Sequence, residues 1–226
     1  MANNKAAPPR PQPRLYLAAP LADDASVLAA TLAGVLTAAD IAAVMLPLQS
    51  TDQRSMITRV KTIAPVVQAS GAALLLDGNV ELVARGGADG AHLTGIAAME
   101  DALASLKPDR IAGVGGLTTR HDSMSAGEAG ADYVLFGEPD DHGQRPSVEA
   151  IAERLNWWAE LFEPPCVGYA DSVAEAHEFA AAGADFVLVG HFIWADSRGP
   201  AAALADVEQA IRQAHKASVK VRAEQG

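Results

Sequence analysis

Three stretches decide the fold: Gly87-Ala-Asp-Gly-Ala-His-Leu-Thr-Gly95, Gly130-Ala-Asp-Tyr-Val-Leu-Phe-Gly137 and Gly183-Ala-Asp-Phe-Val-Leu-Val-Gly190. In the later two, an Ala-rich run with helical spacing meets Gly-Ala-Asp, and a short apolar run follows. Glycine takes the left-handed conformation that stops a helix, and a short apolar run of this kind reads as a buried strand. Each copy is therefore a junction from helix to strand. The starts lie 43 and 53 residues apart, about twice the roughly 20–27 residues that one strand, one helix and two loops occupy. A further strand and helix are expected inside each interval.

Working outward, the same alternation reaches both ends of the chain. Strands are expected at Arg14–Ala19, Ile41–Leu46, Ala72–Leu76, Gly90–Leu93, Asp109–Val114, Tyr133–Gly137, Pro165–Tyr169 and Phe186–Gly190. Helices are expected at Asp23–Ala39, from a cap at Thr51 or Asp52 to Gln68, and at Val80–Arg85, Ala97–Leu106, Arg120–Ala129, Val148–Phe162, Ser172–Ala182 and Ala201–His215. Eight strand-helix pairs in strict order call for parallel strands with right-handed crossovers, and eight is the number that closes a TIM (β/α)8 barrel. The competing architecture is an open doubly wound sheet. Its dinucleotide-binding form lacks support, because no Gly-x-Gly-x-x-Gly follows the first strand. Residues 1–13 hold four prolines and nothing to bury and read as an extended tail, residues 14–216 as the barrel, and residues 217–226 as a polar C-terminal tail.

Composition narrows the function. Half of the 226 residues are hydrophobic and aromatics are scarce, as suits the aliphatic layers of an α/β protein. A net charge of −11 and the lack of a basic cluster argue against a nucleic-acid partner. A small ligand, phosphorylated or not, stays open, because backbone N–H groups bind anions locally whatever the net charge. Self-association stays open as well. The single Cys166 allows no internal disulfide and no thiolate metal site, and its apolar run reads as a strand burying a small hydrophobe. No apolar run approaches membrane-spanning length and no secretory signal is evident, so a cytoplasmic protein is expected.

In such a barrel the chemistry sits where strands pass into the following helices. Polar residues at those ends are the candidates: Asp77 and Asn79 after the third strand, His92 and Thr94 after the fourth, Gly115, Thr118 and Thr119 after the fifth. Glu138 follows the sixth, Tyr169 ends the seventh, and His191 and Trp194 follow the eighth. A ligand is expected near His92, the 115–119 loop, Tyr169 and His191. Asp140 and Asp141 read as solvated loop charges, and Trp157-Trp158 as core or a subunit contact.

Leu74-Leu-Leu-Asp-Gly-Asn-Val-Glu-Leu-Val-Ala84, then Gly87-Ala-Asp-Gly-Ala-His-Leu-Thr94, Ile111-Ala-Gly-Val-Gly115 and Gly130-Ala-Asp-Tyr-Val-Leu-Phe-Gly137 resemble the thiamine phosphate synthase and TenI family over residues 14–215. The resemblance implies a TIM barrel working in thiamine metabolism. It implies a magnesium-assisted transfer joining a pyrimidine pyrophosphate to a thiazole phosphate, or, in TenI members, action on the thiazole. The family's motifs are only partly kept. Val44-Met-Leu-Pro-Leu48 replaces the basic pyrophosphate clamp, and the third-strand metal carboxylate falls on Gly78. The Gly-Gln-x-Asp after His92 is Thr94-Gly95-Ile96-Ala97, the fifth-strand Ser and nearby His match Gly115 and Leu117, and Gly168-Tyr169 stands for Gly-Gly. The sixth-strand Thr-x-Thr-Lys is absent. No metal set or cofactor is therefore expected beyond the magnesium implied by resemblance. The expectation is a rearranged or impaired synthase, with a non-catalytic ligand-binding barrel or another activity on the scaffold as alternatives.

Overall fold

The computed structural model describes residues 10–50 and 52–225. Eight strands, β1 (Arg14–Ala18), β2 (Ile41–Leu46), β3 (Ala73–Asp77), β4 (Gly90–Thr94), β5 (Ile111–Gly115), β6 (Tyr133–Phe136), β7 (Cys166–Ala170) and β8 (Phe186–Val189), pair in parallel in sequence order. Pairing of Arg14–Leu17 with Phe186–Val189 closes the barrel, which disposes of the open sheet. The helices are α1 (Ala25–Ala38), α2 (Gln53–Ala69), α3 (Val80–Gly86), α4 (Ile96–Leu106), α5 (Arg120–Ala129), α6 (Val148–Leu161), α7 (Val173–Ala181), α8 (His191–Trp194) and α9 (Pro200–Gln225).

The Gly-Ala-Asp stretches do three jobs at once. Gly87, Gly130 and Gly183 have φ of 83°, 102° and 100°, the left-handed turn that ends α3, α5 and α7. The next residue's N–H returns to the helix, at Val83, Ala126 and Phe179 O. The Asp side chain then reaches back to the preceding strand: Asp89 accepts from Leu74 N at 2.7 Å, Asp132 from Ala112 N at 2.7 Å and Asp185 from Cys166 N at 2.9 Å. These N–H groups lie at the starts of β3, β5 and β7, so the motif fastens strands in pairs, which accounts for its recurrence at every second strand.

Alternation along the strands divides the core. Leu15, Leu17, Leu74, Leu76, Val134, Val187 and Val189 face outward to the helices in one large cluster. Tyr16, Leu75, Tyr133, Leu135, Val167 and Leu188 fill the barrel centre. Side chains of alternate parity point to opposite faces of a strand, so the inner layer is set by position alone.

Of the proline-rich stretch, residues 1–9 lie outside the described residues; Arg10 Nη1 donates to Gly183 O at 3.0 Å and Pro13 is buried. Thr51 is also outside them, and Asp52 caps α2 by accepting from Arg54 and Ser55 N. The last helix continues to Gln225, so the polar end is helical over 217–225, and residue 226 lies outside the described residues. The short α8 was not legible, because four residues carry too little periodicity to register.

Candidate active site at the mouth of the barrel

Strands β2 to β8 end around a cavity of about 680 Å3. Asp77, His92, Thr94, Thr118, Glu138 and Tyr169 of the sequence candidates line it, with Gly116 beside Gly115. The other four stand apart. Asn79 takes a left-handed conformation (φ 49°) and its amide donates to Asp77 O at 3.0 Å, closing the turn into α3. Thr119 caps α5 in a reciprocal box with Asp122. His191 is exposed at the start of α8, outside the cavity lining. Trp194 Nε1 donates to Ala18 O at 2.8 Å and the ring packs against the core. The short α8 carries the His191 side chain outward, away from the cavity. The adjacent Trp pair divides similarly, with Trp158 in the core, donating to Pro164 O at 2.7 Å, and Trp157 half-buried beneath the Arg120 guanidinium.

The cavity floor is a polar chain inside the barrel. Tyr16 and Tyr133 hydroxyls meet at 3.0 Å, Tyr133 Oη lies 2.9 Å from His92 Nδ1, and the His92 ring stacks on Tyr133 with 5.8 Å between centroids. Space for this chain comes from β5. A Cβ on Gly113 would stand 1.9 Å from Tyr133 Cζ, and one on Gly115 would stand 2.1 Å from Glu138 Oε1. The two glycines face inward and are filled by a ring and a carboxyl from β6 and the loop after it. Gly137, with φ of 96°, gives the chain the turn that brings Glu138 back over β5.

Burial governs protonation here. It lowers His92 to about 4, so the imidazole is neutral at physiological pH, and it raises Glu138 to about 7, with Gly116 N–H opposing this and Asp77 adding to it. The Asp77 carboxyl is likewise raised by desolvation. Glu138 Oε2 is 3.8 Å from His92 Nε2, beyond hydrogen-bond reach. Both Glu138 oxygens are buried, and the Gly116 N–H is the backbone donor that acts on them.

Two arginines absent from the sequence candidates stand in the wall. Arg145 donates to Gly137 O and Tyr169 O at 2.7 Å and to Glu175 at 2.9 Å. Arg154 donates to Leu117 O at 2.8 Å and Thr118 O at 3.1 Å. One sits in the irregular loop and the other in mid-helix, where no spacing rule marks a residue as facing a mouth. Among the described residues no group of three or more His, Cys, Asp and Glu side chains is placed to hold a metal ion.

A closed parallel barrel whose polar groups gather at the carboxyl ends of its strands is of the class that handles small molecules at that mouth. The particular family follows from comparison with known proteins. A family model described as thiamine monophosphate synthase matches residues 15–172. The thiamine-phosphate synthase of Rhodospirillum centenum is 39% identical over 206 residues, covering 88% of this chain and 98% of that protein. That of Hyphomonas neptunium is 35% identical over 206 residues, covering 88% and 93%. Among solved structures, thiamine phosphate pyrophosphorylase from Pyrococcus furiosus superposes with a TM-score of 0.72 at 18% identity, covering 90% of this chain and 97% of that one. 3-Hexulose-6-phosphate synthase from Salmonella typhimurium gives 0.64 at 18%, covering 89% and 100%, a likeness of fold alone. The chain belongs to the thiamine phosphate synthase/TenI family, a family of thiamine metabolism. No helix among the described residues is long and apolar enough to cross a membrane.

Proposed function

We infer that the chain serves thiamine metabolism by holding a small heterocyclic intermediate at the barrel mouth, and that it is a poor catalyst of the pyrophosphate-displacing synthase reaction. The relatives' names supply the pathway. One observation carries the rest: the cavity lining contains no lysine, and both of its guanidiniums are committed to backbone carbonyls. A departing pyrophosphate develops negative charge that needs preorganised cations around it. This mouth sets four carboxyl groups, Asp77, Glu138, Asp140 and Asp141, beside those two guanidiniums.

What the residues do support is retention of a compact, weakly charged ring. Met45, Leu135, Phe136, Tyr169 and Leu188 give apolar walls, and the neutral His92, fixed through Nδ1 by Tyr133, keeps Nε2 directed to the interior side of the mouth near Glu138. The test is a pair of measurements on the purified protein. Thiamine phosphate formation from both phosphorylated precursors with magnesium is expected to be negligible, while calorimetry with the unphosphorylated thiazole alcohol and aminopyrimidine alcohol is expected to detect binding. Robust turnover refutes the impaired reaction; absence of binding by either heterocycle refutes the assigned ligand class.

A further inference from the structure

Asp77, His92, Gly113 and Tyr133 are register partners across β3, β4, β5 and β6, and positions in register on neighbouring strands share a face. Gly113 has no side chain, so the Tyr133 ring fills its place and stacks on His92. Tyr16 reaches the same point from β1, across the barrel. Its hydroxyl meets Tyr133 Oη at 3.0 Å, and Tyr133 Oη meets His92 Nδ1 at 2.9 Å. Distances alone do not say which atom of each pair donates.

The placement of hydrogens does. The Tyr16 hydroxyl is buried in the inner layer with Leu75, Leu135, Val167 and Leu188, and among the described residues its hydrogen-bond partner is Tyr133 Oη. When Tyr16 donates to Tyr133 and Tyr133 donates to Nδ1, both hydroxyl hydrogens are used, and the imidazole hydrogen sits on Nε2. When Nδ1–H donates to Tyr133 instead, one hydroxyl hydrogen, of Tyr133 or of Tyr16, stays in the apolar interior without an acceptor. A buried donor left bare shifts such an equilibrium by roughly tenfold to a hundredfold. The far side of the ring does not offset this. Glu138 Oε2 stands 3.8 Å from Nε2, too far for its carboxyl to donate to a bare nitrogen, and the acidic groups there favour a hydrogen on Nε2.

We propose that Tyr133, with Tyr16 behind it, is a positioning residue that sets His92 as its Nε2–H tautomer, so that the barrel presents a fixed hydrogen-bond donor at this position and no base. A group that reaches Nε2 from the cavity receives a hydrogen bond and loses no proton to the ring. The lone pair able to take a proton points inward at Nδ1, where the Tyr133 O–H already meets it. Protonating Nδ1 turns Tyr133 round and strands a hydroxyl hydrogen, which acts in the same direction as the burial that lowers His92 to about 4. The other ionisable groups around the ring are Asp77 on β3 and Glu138 after β6, whose carboxyls burial raises, and Tyr16 and Tyr133, whose hydroxyls burial raises too. The guanidiniums of Arg145 and Arg154 are held by backbone carbonyls. The assignment concerns the free protein and does not depend on which molecule the mouth holds.

The test is heteronuclear NMR of the full chain with isotopically labelled histidine at about pH 7, where a ring of such low basicity is neutral. His92 is identified among the six histidines by the loss of its signals in His92→Gln. The parent is expected to show a one-bond N–H coupling at Nε2, with that tautomer in at least about tenfold excess, and a pyridine-type Nδ1 resonance displaced upfield by an accepted hydrogen bond. Tyr133→Phe keeps the ring and removes the hydroxyl, and its Nδ1 resonance is expected to move downfield to that of a bare ring nitrogen. Tyr16→Phe is expected to keep both the hydrogen on Nε2 and the bond at Nδ1, since the Tyr133 hydrogen then has Nδ1 as its acceptor. Should the stranded Tyr16 hydroxyl keep Tyr133→Phe from folding, the double variant Tyr16→Phe, Tyr133→Phe removes both hydroxyls and is read in the same way. A hydrogen on Nδ1 in the parent, comparable populations of the two tautomers, or an Nδ1 resonance unmoved by loss of the Tyr133 hydroxyl overturns the proposal. Heterocycle binding is measured separately by calorimetry, so the failure of either reading is distinguishable from that of the other.

Discussion

Gly113→Ala tests whether the barrel centre is organised as described. The added Cβ would lie 1.9, 2.1 and 2.3 Å from Cζ, Cε1 and Oη of Tyr133, so the ring must retreat by roughly 1.6 Å to reach an ordinary carbon contact near 3.5 Å. It has little freedom to do so, because Tyr133 is buried between Tyr16, 5.9 Å away edge-on, and the stacked His92. Overpacking a rigid core costs about 1–3 kcal/mol, and displacing Oη breaks buried hydrogen bonds to Tyr16 and His92 worth about 1 kcal/mol each or more. The expected destabilisation is roughly 2–5 kcal/mol, lowering Tm by about 5–15 °C in a chain of this length. Gly34→Ala is the matched control. That glycine lies in the exposed face of α1 with nothing within 4 Å of the added Cβ, and alanine there should stabilise by up to about 1 kcal/mol. Urea unfolding of both variants, with near-ultraviolet circular dichroism reporting the tyrosines, decides the matter. A Gly113→Ala protein within 0.5 kcal/mol of the parent and with unchanged tyrosine signals would refute the inward placement of β5.

Stability should also respond to pH through the mouth. Glu138, raised from 4.5 to about 7, keeps its proton in the native state where the unfolded chain has lost it, so its contribution is lost as pH climbs from 4.5 through 7. His92, lowered from 6.5 to about 4, contributes oppositely, gaining as pH climbs from 4 through 6.5. The two slopes offset one another, and Glu138→Gln should therefore show a stability that rises more steeply with pH than the parent's, by on the order of 3 kcal/mol across the window; parallel curves from denaturant titrations would contradict this. Thr119→Ala should cost about 1 kcal/mol by removing the α5 cap and leave affinity for the unphosphorylated heterocycles unchanged, since the hydroxyl of Thr119 serves Asp122 N; a binding loss in calorimetry would return Thr119 to the ligand contacts. The synthase assay and the heterocycle calorimetry described above complete the set.

The order of elements is a local matter, and the sequence by itself determined it. The Gly-Ala-Asp junctions at Gly87, Gly130 and Gly183, the capping residues Asp52 and Ser147 and the short apolar runs specify eight strand-helix units, because left-handed glycine, a side chain accepting from the first helical N–H groups and strand periodicity act within a few residues of chain. The family motifs were legible for the same reason. Part of the mouth was legible too: Asp77, His92, Thr94, Thr118, Glu138 and Tyr169 lie at strand ends, which barrel topology brings to one rim. Tertiary structure alone decided the rest. It turned Thr119 and Asn79 to their own backbones, sent His191 outward on α8, and brought Arg145 and Arg154 into the wall from positions with no sequence signature. It also chose the parity of each strand, which put Tyr16, Tyr133 and His92 in contact across more than a hundred residues of chain, and it laid Glu138 over Gly115. Burial and charge environment arise only when distant strands close into a barrel, so the neutral imidazole of His92 and the buried carboxyl of Glu138 have no counterpart in the linear chain.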